Sequence, residues 1–541
     1  MAIQIDGRTI DDVFCECAAH YADHTFLTVP RDQKRTYAPD GRTITFRQAA
    51  QIVDTYARAL RDAGYGHGHR IAVMAENRPE MLLLKLALGR LGISWVPVNP
   101  DYRAAEIAYL LTDSDADLAI AIAERGEQMQ AGITESGRRL ALSLLDHGDG
   151  DGFAAAPCPA PSEDPVHPQS EASLLYTSGT TGRPKGCILG HEYELMMGAW
   201  YANRGGRLSF DEGAERIYCP LPLFHVNAGI FLFFAAMLSG NCQILPERFR
   251  RTAWWPEIRE TRATAIHYLG VIVPVLMNEP ADDGDRRHGV KWGLGAGVEP
   301  TVHAAFEDRF GFPLIEVWGM TEMCRILADC HEPRQIDSRA MGRPVPGLDV
   351  RVVDGDDRDV IFGEPGEMII RHSAETPRKG AFSGYLNQPD ATEEAWRGGW
   401  FHTGDTVRQD ETGMLYFVDR KKNIIRRSGE NIAAAEVEAC LQSHPSVAQV
   451  AVIAIEDEMR EEEVLACVVL SEGSGDQQLA RQLFDYCFQR LAYYKAPGWV
   501  VFVDRLPVTG TQKVLKHMIF EENQDPRTLP HAHDLRALKK R

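Results

Sequence analysis

From Thr45 onward, apolar residues at Phe46, Ala49, Val53, Tyr56 and Leu60 recur at helical spacing, and Ala63-Gly64 stops the pattern. Arg70 to Met74 then reads as a short strand, and Pro79 to Gly89 as a helix opened by proline. Trp95 to Val98 is a second strand, Ala104 to Leu111 a helix and Leu118 to Ile122 a third strand. Strand and helix in alternation predict a parallel sheet with crossover helices.

Between Gly148 and Ser173 the periodicity disappears. Pro157, Pro159, Pro161, Pro165 and Pro168 interrupt a stretch rich in Gly, Ala and Ser, which predicts an exposed connector. Leu174 to Thr177 resumes a strand, and His267 to Leu269, Lys291 to Leu294 and Leu314 to Trp318 continue a second doubly wound layer. From about Ala340 to Val418, short strands with Gly and Pro turns predict a β-rich barrel or sheet. Beyond Asn423, strands at Val447 to Ile453, Val464 to Leu470 and Trp499 to Val503, with an amphipathic helix from Gln478 to Leu491, form an α+β unit. The polar tail from Pro526 to Arg541 is expected to be loosely held.

Composition narrows the function. The 541 residues are 44% hydrophobic and 25% charged, enough apolar material for several cores. A net charge of -19 repels polyanions, so nucleic acid is not the expected partner. The 11 cysteines contain no CxxC pair or zinc-ligand spacing, and Cys15 and Cys17 read as helix residues. The polar start lacks an apolar signal segment, and the longest apolar run, Ile230 to Leu238, is too short to span a bilayer. A cytoplasmic protein without membrane insertion is expected.

The strongest chemical signal is Tyr176-Thr177-Ser178-Gly179-Thr180-Thr181-Gly182-Arg183-Pro184-Lys185-Gly186. A strand running into glycines and hydroxyls can turn several backbone N–H groups toward one point, and Lys185 adds charge. Such a nest suits a polyphosphate, although the pattern is not a Walker A loop. A flexible surface loop is the bland alternative, but it leaves the Pro and Lys positions unexplained.

This loop resembles the phosphate-binding signature of the adenylate-forming superfamily, which includes acyl-CoA synthetases, nonribosomal-peptide adenylation domains and luciferases. Trp318-Gly319-Met320-Thr321-Glu322 resembles the motif whose aromatic stacks on adenine, whose Thr touches phosphate and whose Glu holds magnesium. Trp318 stands where Tyr is commoner. Gly295-Ala296-Gly297 resembles the adenine-pocket strand end, with Gly297 where Pro is usual. Thr403-Gly404-Asp405 resembles the ribose-binding turn, and Asp419-Arg420-Lys421-Lys422 the ribose-binding Arg420 followed by a hinge at Lys422. Ser428-Gly429-Glu430 resembles the loop lining a pantetheine tunnel. Leu506 to Lys513 resembles the terminal motif and makes Lys513 the implied catalytic lysine, with Gln512 replacing the usual Gly.

The resemblance spans nearly the whole chain. It implies a large amino-terminal domain, 1–421, of two doubly wound α/β subdomains plus the β-rich barrel, and a small mobile α+β carboxy-terminal domain, 422–541. The implied nucleotide and CoA contacts are Thr177 to Gly182, Gly295 to Gly297, Trp318 to Met320, Asp405, Arg420 and Ser428 to Glu430. Glu322 would hold Mg²⁺. Catalysis would fall to Lys513, Glu322, Thr321, Lys185 and His225.

Attack of a carboxylate on the α-phosphate of ATP brings two anions together, so cations and fixed dipoles must face that point. Pro222-Leu223-Phe224-His225-Val226-Asn227 resembles the stretch between the acid pocket and the thiol tunnel, with a structural histidine as the alternative. Arg325, three residues beyond Glu322, is a candidate for holding a second polar or anionic group on the acid, or equally a solvent-facing or phosphate-side arginine. The run Phe417 to Asn431 looks most like the crotonobetaine/carnitine-CoA ligase branch, which handles small polar acids. The leading expectation is an ATP-dependent acid–CoA ligase, a homodimer, using a small polar carboxylic acid, ATP, Mg²⁺ and CoA. Loading of a carrier-protein thiol, a luciferase-like oxygenase and a non-catalytic nucleotide-binding homologue remain alternatives.

Overall fold

A computed structural model describes residues 3–145, 152–155, 159–177, 184–420, 423–427, 430–457, 460–491, 493–508, 514–521 and 524–539. The chain divides into two compact units, Met1–Asp349 with Arg371–Phe401, and Val350–Ile370 with His402–Arg541.

The first unit is α/β, as its alternating pattern predicts. Thr45 starts the helix Phe46–Asp62 with a capping box: its hydroxyl accepts from the Gln48 N–H, and the Gln48 side chain accepts from the Thr45 N–H. The buried face is Phe46, Ala49, Val53, Tyr56, Ala57 and Leu60. Arg70–Met74 and Leu118–Ile122 form strands with the expected bounds. The helix Pro79–Arg90 is enclosed on nearly every side, and its polar residues are matched internally. Lys85 donates to Glu194 at 2.7 Å and to Ser173 at 2.6 Å.

Two sheets build this unit. One has seven strands in the order Gly384–Tyr385, Lys185–Gly190, Glu171–Thr177, Ser94–Pro97, Arg70–Met74, Leu118–Ile122 and Ala141–Leu145. The other has eight and ends in the run Ala265–Leu269, Trp292–Ala296, Leu314–Met320 and Met323–Ala328. In both, parallel central strands give way to an antiparallel edge. Those two edges carry the Lys185 and Thr321-Glu322 motifs.

The expected connector is shorter than its composition suggests. Glu171, Ala172 and Ser173 already belong to a strand, and Ala172 and Ser173 are buried, because Ser173 must reach Lys85 and Glu194.

The second unit holds most of a sheet that runs in the order Asp349–Val353, Pro365–Arg371, Phe401–Gln409 and Leu415–Arg420, the last two antiparallel. It also holds an α+β layer in which Glu461–Leu470 pairs with Val447–Asp457 on one side and Trp499–Phe502 on the other. Val437, Leu441, Val452, Val464, Leu483 and Phe484 form its core with the helices Ala434–Gln442 and Gln477–Phe488. The tail is docked here rather than loose. Ala532–Asp534 pairs with Trp499–Val501, Leu535 is buried, and Lys539 donates to the Glu463 carboxylate that also accepts from Arg427. A cation is needed there because a buried carboxylate costs more than one arginine at its edge repays.

Candidate active site

The strand Glu171–Thr177 and its antiparallel neighbour Lys185–Gly190 set the geometry of the first motif. Thr177 and Lys185 are direct cross-strand partners, so the strands themselves hold the two flanks of the hydroxyl- and glycine-rich segment together. Ser178, Gly179, Thr180, Thr181 and Gly182 lie outside the described residues. Two tyrosines brace the flanks: Tyr109 donates to the carbonyl of Pro184 at 2.9 Å, and Tyr176 to Asp113 at 2.7 Å.

Thr321 and Glu322 form the two-residue reversal between Leu314–Met320 and Met323–Ala328, where Met320 pairs with Met323. A hairpin is a rigid mount, and here it is tied at three points. Tyr193 donates to the Thr321 carbonyl at 2.7 Å, the Phe382 N–H donates to the Glu322 carbonyl at 3.0 Å, and the Tyr385 hydroxyl donates to Glu322 Oε1 at 2.9 Å. Glu322 is buried. Lys185 Nζ lies 4.8 Å from the centroid of the same Tyr385 ring, a cation–π contact. Tyr385 therefore joins the Glu322 turn to the Lys185 strand. Burial, followed by the Glu322 charge, raises the Tyr385 phenol far above its ordinary range, so it remains a donor.

Tyr385 and Tyr193 carry no motif in the sequence. Tyr385 comes from a two-residue strand, 63 positions from Glu322, that pairs with Lys185–Gly190. Only the fold reveals it.

The strand end Gly295, Ala296 and Gly297 lies beside this hairpin, with Gly295 paired to Glu316. A side chain at Gly295 would put its Cβ 2.4 Å from the Tyr268 carbonyl oxygen, so glycine is required by close approach. Ala296 and Gly297 are exposed, and so is Gly319, whereas Trp318 is buried at 6% exposure. The resemblance implies an open stacking face for that ring; in this structure the open surface is the backbone around it. Glu316, which sequence reading passed over, organises the segment: it accepts from Gly297 N–H at 2.9 Å, Val298 N–H at 3.3 Å and the Tyr268 hydroxyl at 2.9 Å. Desolvation raises its carboxyl to about 7.

His225 stands just before the π-helix Asn227–Leu232, an uncommon element associated with functional sites. Its Nε2 is buried and has no hydrogen-bond partner among the described residues, which does not suit a histidine kept only for structure. Burial lowers its pKa to about 4, so the ring is neutral at pH 7. Nearby, His267 bridges Asn227 Oδ1 at 2.7 Å and the Tyr201 hydroxyl at 2.6 Å. Arg325 is buried, donates to the Lys379 carbonyl and faces the Trp200 ring at 5.6 Å.

Other expected site residues lie in the second unit. Asp405 is buried and is the direct cross-strand partner of Arg420, so the two ribose-site candidates do share one register position. Glu430 begins the strand Glu430–Ala433. Lys422, Ser428, Gly429 and Lys513 lie outside the described residues.

The donor set suits a magnesium nucleotide. Among the described residues no group of three His, Cys, Asp or Glu could form a protein-only cage. Mg²⁺ in phosphate chemistry is held by one or two carboxylates together with phosphate oxygens and water, and a single fixed carboxylate such as Glu322 would fit that need. No described helix is long and apolar enough to cross a membrane.

The profile of the AMP-binding enzyme family matches residues 14–386, and that of the AMP-binding enzyme C-terminal domain matches 436–513. Crotonobetaine/carnitine–CoA ligase of Citrobacter koseri is 30% identical over 538 residues, covering 95% of this chain and 99% of that protein. Sulfoacetate–CoA ligase of Cupriavidus necator is 30% identical over 518 residues, covering 94% and 98%. Among solved structures, ATP-bound MatB from Rhodopseudomonas palustris aligns with a TM-score of 0.76 at 23% identity, over 94% of this chain and 98% of that one. The o-succinylbenzoate CoA synthetase of Bacillus subtilis, in complex with its acyl-adenylate intermediate, aligns with a TM-score of 0.78 at 23% identity, over 96% and 99%.

Proposed function

This chain belongs to the AMP-binding enzyme family, and from that premise we propose how its residues divide the work of an acid–CoA ligase and which acid they accept. The enzyme is an AMP-forming acid–thiol ligase: it activates a carboxylic acid with ATP as an acyl-adenylate and transfers the acyl group to CoA. ATP, Mg²⁺ and CoA are its cofactor set.

The observation that carries the assignment of roles is Tyr385, whose hydroxyl holds Glu322 while its ring lies under Lys185. Pyrophosphate leaves with more negative charge than the ground state carries, so charge must be fixed in advance where it develops. Glu322 is the magnesium ligand in this reading, and the metal when bound neutralises phosphate charge. Lys185 and the N–H groups from Thr177 to Gly182 receive the departing phosphates. The backbone of Gly295 to Gly297 and Trp318 to Met320 frames adenine, Thr321 contacts phosphate, and Asp405 with Arg420 takes the ribose. Lys513 bridges the acid and the α-phosphate. His225, neutral and short of one hydrogen-bond partner, separates the acid from the incoming thiol. Lys422 is the hinge at the 421/422 boundary, bringing either Lys513 or the Ser428 to Glu430 loop to bear.

A small polar acid is the proposed substrate class, supported by the two relatives named above, whose acids are small and charged. A cytoplasmic homodimer is the proposed state, tested by sedimentation equilibrium of the purified chain.

The deciding experiment is AMP release over a panel of small, branched, aromatic, dicarboxylic and betaine-like acids, with and without CoA. CoA-dependent turnover of one polar class is expected; turnover confined to aromatic or long apolar acids would overturn the substrate class. Lys513→Ala should abolish adenylation while sparing thioester formation from supplied acyl-adenylate. Equal loss of both half-reactions would remove Lys513 from the role given to it.

A further inference from the structure

Outside the site just described, the first unit contains a cleft of about 410 Å³ bordered by the helix His191–Ala202 and the residues that follow it. Its walls are chiefly apolar, with Met196, Trp200, Val345 and Pro346, and Asp6 at the exposed rim. Arg204 also lines it.

Arg204 is out of place as a structural residue. It is 93% buried, since only 7% of its surface is exposed. Its Nε has no hydrogen-bond partner, and the guanidinium forms no ion pair with a carboxylate among the described residues. What it does touch is the Trp200 ring, at 5.1 Å from the centroid, and the thiol of Cys330. Removing a guanidinium from water without an anion to meet it is costly, and two partly buried arginines of this unit show the usual arrangement. Arg309 bonds Asp285, and Arg334 holds Glu307 through two nitrogens.

Positive charge is dense on this side of the fold. Arg325, 3% exposed, faces the same Trp200 ring, and its Nε also lacks a partner. Arg325 and Lys379 help to depress the nearby His372, after burial. Two buried guanidinium groups thus flank one indole, and neither has a carboxylate partner among the described residues.

We propose that the Trp200–Arg204 cleft is a second ligand site, distinct from the adenylation site, that takes a small organic carboxylate with an apolar or aromatic body. The planar guanidinium of Arg204 would pair with the carboxylate, and Trp200, Met196, Val345 and Pro346 would cover the apolar part. A single guanidinium with an aspartate at the rim suits a monoanion better than a phosphate dianion, which needs more donors.

The cleft has a physical link to the chemistry. Trp200 donates to the Ile326 carbonyl at 3.0 Å, and Tyr193, two turns earlier on the same helix, donates to the Thr321 carbonyl. One helix therefore grips both ends of the segment that carries Glu322. Occupancy of the cleft would bear on the placement of that carboxylate.

The test is direct and does not depend on the identity of the acid substrate. The Trp200 indole N–H resonance is assigned in the full-length protein by its loss in Trp200→Phe, then followed while sodium benzoate, and separately inorganic phosphate, is added. A saturable shift with benzoate is expected. The midpoint should move roughly tenfold higher in Arg204→Gln and less in Arg204→Lys, which keeps the charge but loses the planar fork. The remaining indole resonances report whether each variant is folded, and Arg204→Lys carries the comparison if Arg204→Gln is not. A Trp200 resonance that benzoate leaves unmoved, or moves equally in the folded variants, would overturn the site. A response to phosphate alone would overturn the carboxylate assignment. Failure of the adenylation assay would leave this readout untouched.

Discussion

Glu307 and Glu316 lie on neighbouring elements of one unit, nine residues apart, and meet opposite fates. Burial alone would raise both carboxyls. Around Glu307, however, Arg334 supplies two hydrogen bonds, at 2.9 and 2.7 Å, and His303 and the Leu314 N–H supply two more, so its pKa falls to about 2. Glu316 has only two backbone N–H groups and a phenol, and desolvation wins, leaving it at about 7. The first is a fixed charge that fastens a helix to a strand. The second is poised near neutrality at the strand end Gly295 to Gly297, proposed above to frame adenine. What separates structural from functional burial here is the presence of a cation.

The contrast can be broken at the mouth of the site first. Glu322→Gln should lower the adenylation rate by about 10²–10³-fold with little change in melting temperature. A variant that melts much earlier would show Glu322 to be structural, like Glu307.

At the structural end, Arg334→Met strands the Glu307 charge and should cost about 3–5 kcal/mol in urea denaturation, with turnover of the folded fraction unchanged. An unchanged denaturation midpoint would mean that the Arg334 pairing contributes nothing net.

The pH dependence sharpens the comparison. The Glu307 pKa is depressed from 4.5, so its stabilising contribution is present above about 4.5 and lost as pH falls toward 2. The Glu316 pKa is raised from 4.5, so its contribution is full below about 4.5 and lost as pH rises through 7. Glu316→Gln should abolish the decline between those values, leave the acid limb intact and raise the KM for ATP a few-fold. Persistence of the decline would assign it to another group.

The smallest expected effect lies in the second unit. Burial lowers Lys539 from 10.5 to about 8 against the pull of Glu463, so the unfolded chain binds its proton more tightly and stability should rise slightly from pH 8 to 10.5. Lys539→Met should remove that rise, measured as the pH dependence of the urea midpoint.

Much of this was legible in the chain. The helix Phe46–Asp62 announces itself by its apolar spacing and its Thr45–Gln48 cap, and the strands Arg70–Met74 and Leu118–Ile122 by their apolar runs. The ordered motifs named Lys185, Thr321 and Glu322, and the register then placed Asp405 opposite Arg420. The ends of irregular segments were harder. Glu171 to Ser173 reads as connector because its polar residues hide a strand whose partners, Lys85 and Glu194, are remote in sequence. The tail looked loose for the same reason: Lys539 is polar until Glu463 is known to lie beneath it.

Sequence alone determined the α/β class, the family and the chemistry, because backbone periodicity and phosphate-binding loops are local properties written in consecutive residues. Only the tertiary structure decided that Tyr385 would join Glu322 to Lys185, that Glu316 would titrate near neutrality while Glu307 would not, and that Arg204 would be buried beside Cys330 with no carboxylate partner among the described residues. Those outcomes depend on desolvation and on partners tens to hundreds of residues away, and neither quantity exists until the chain has folded.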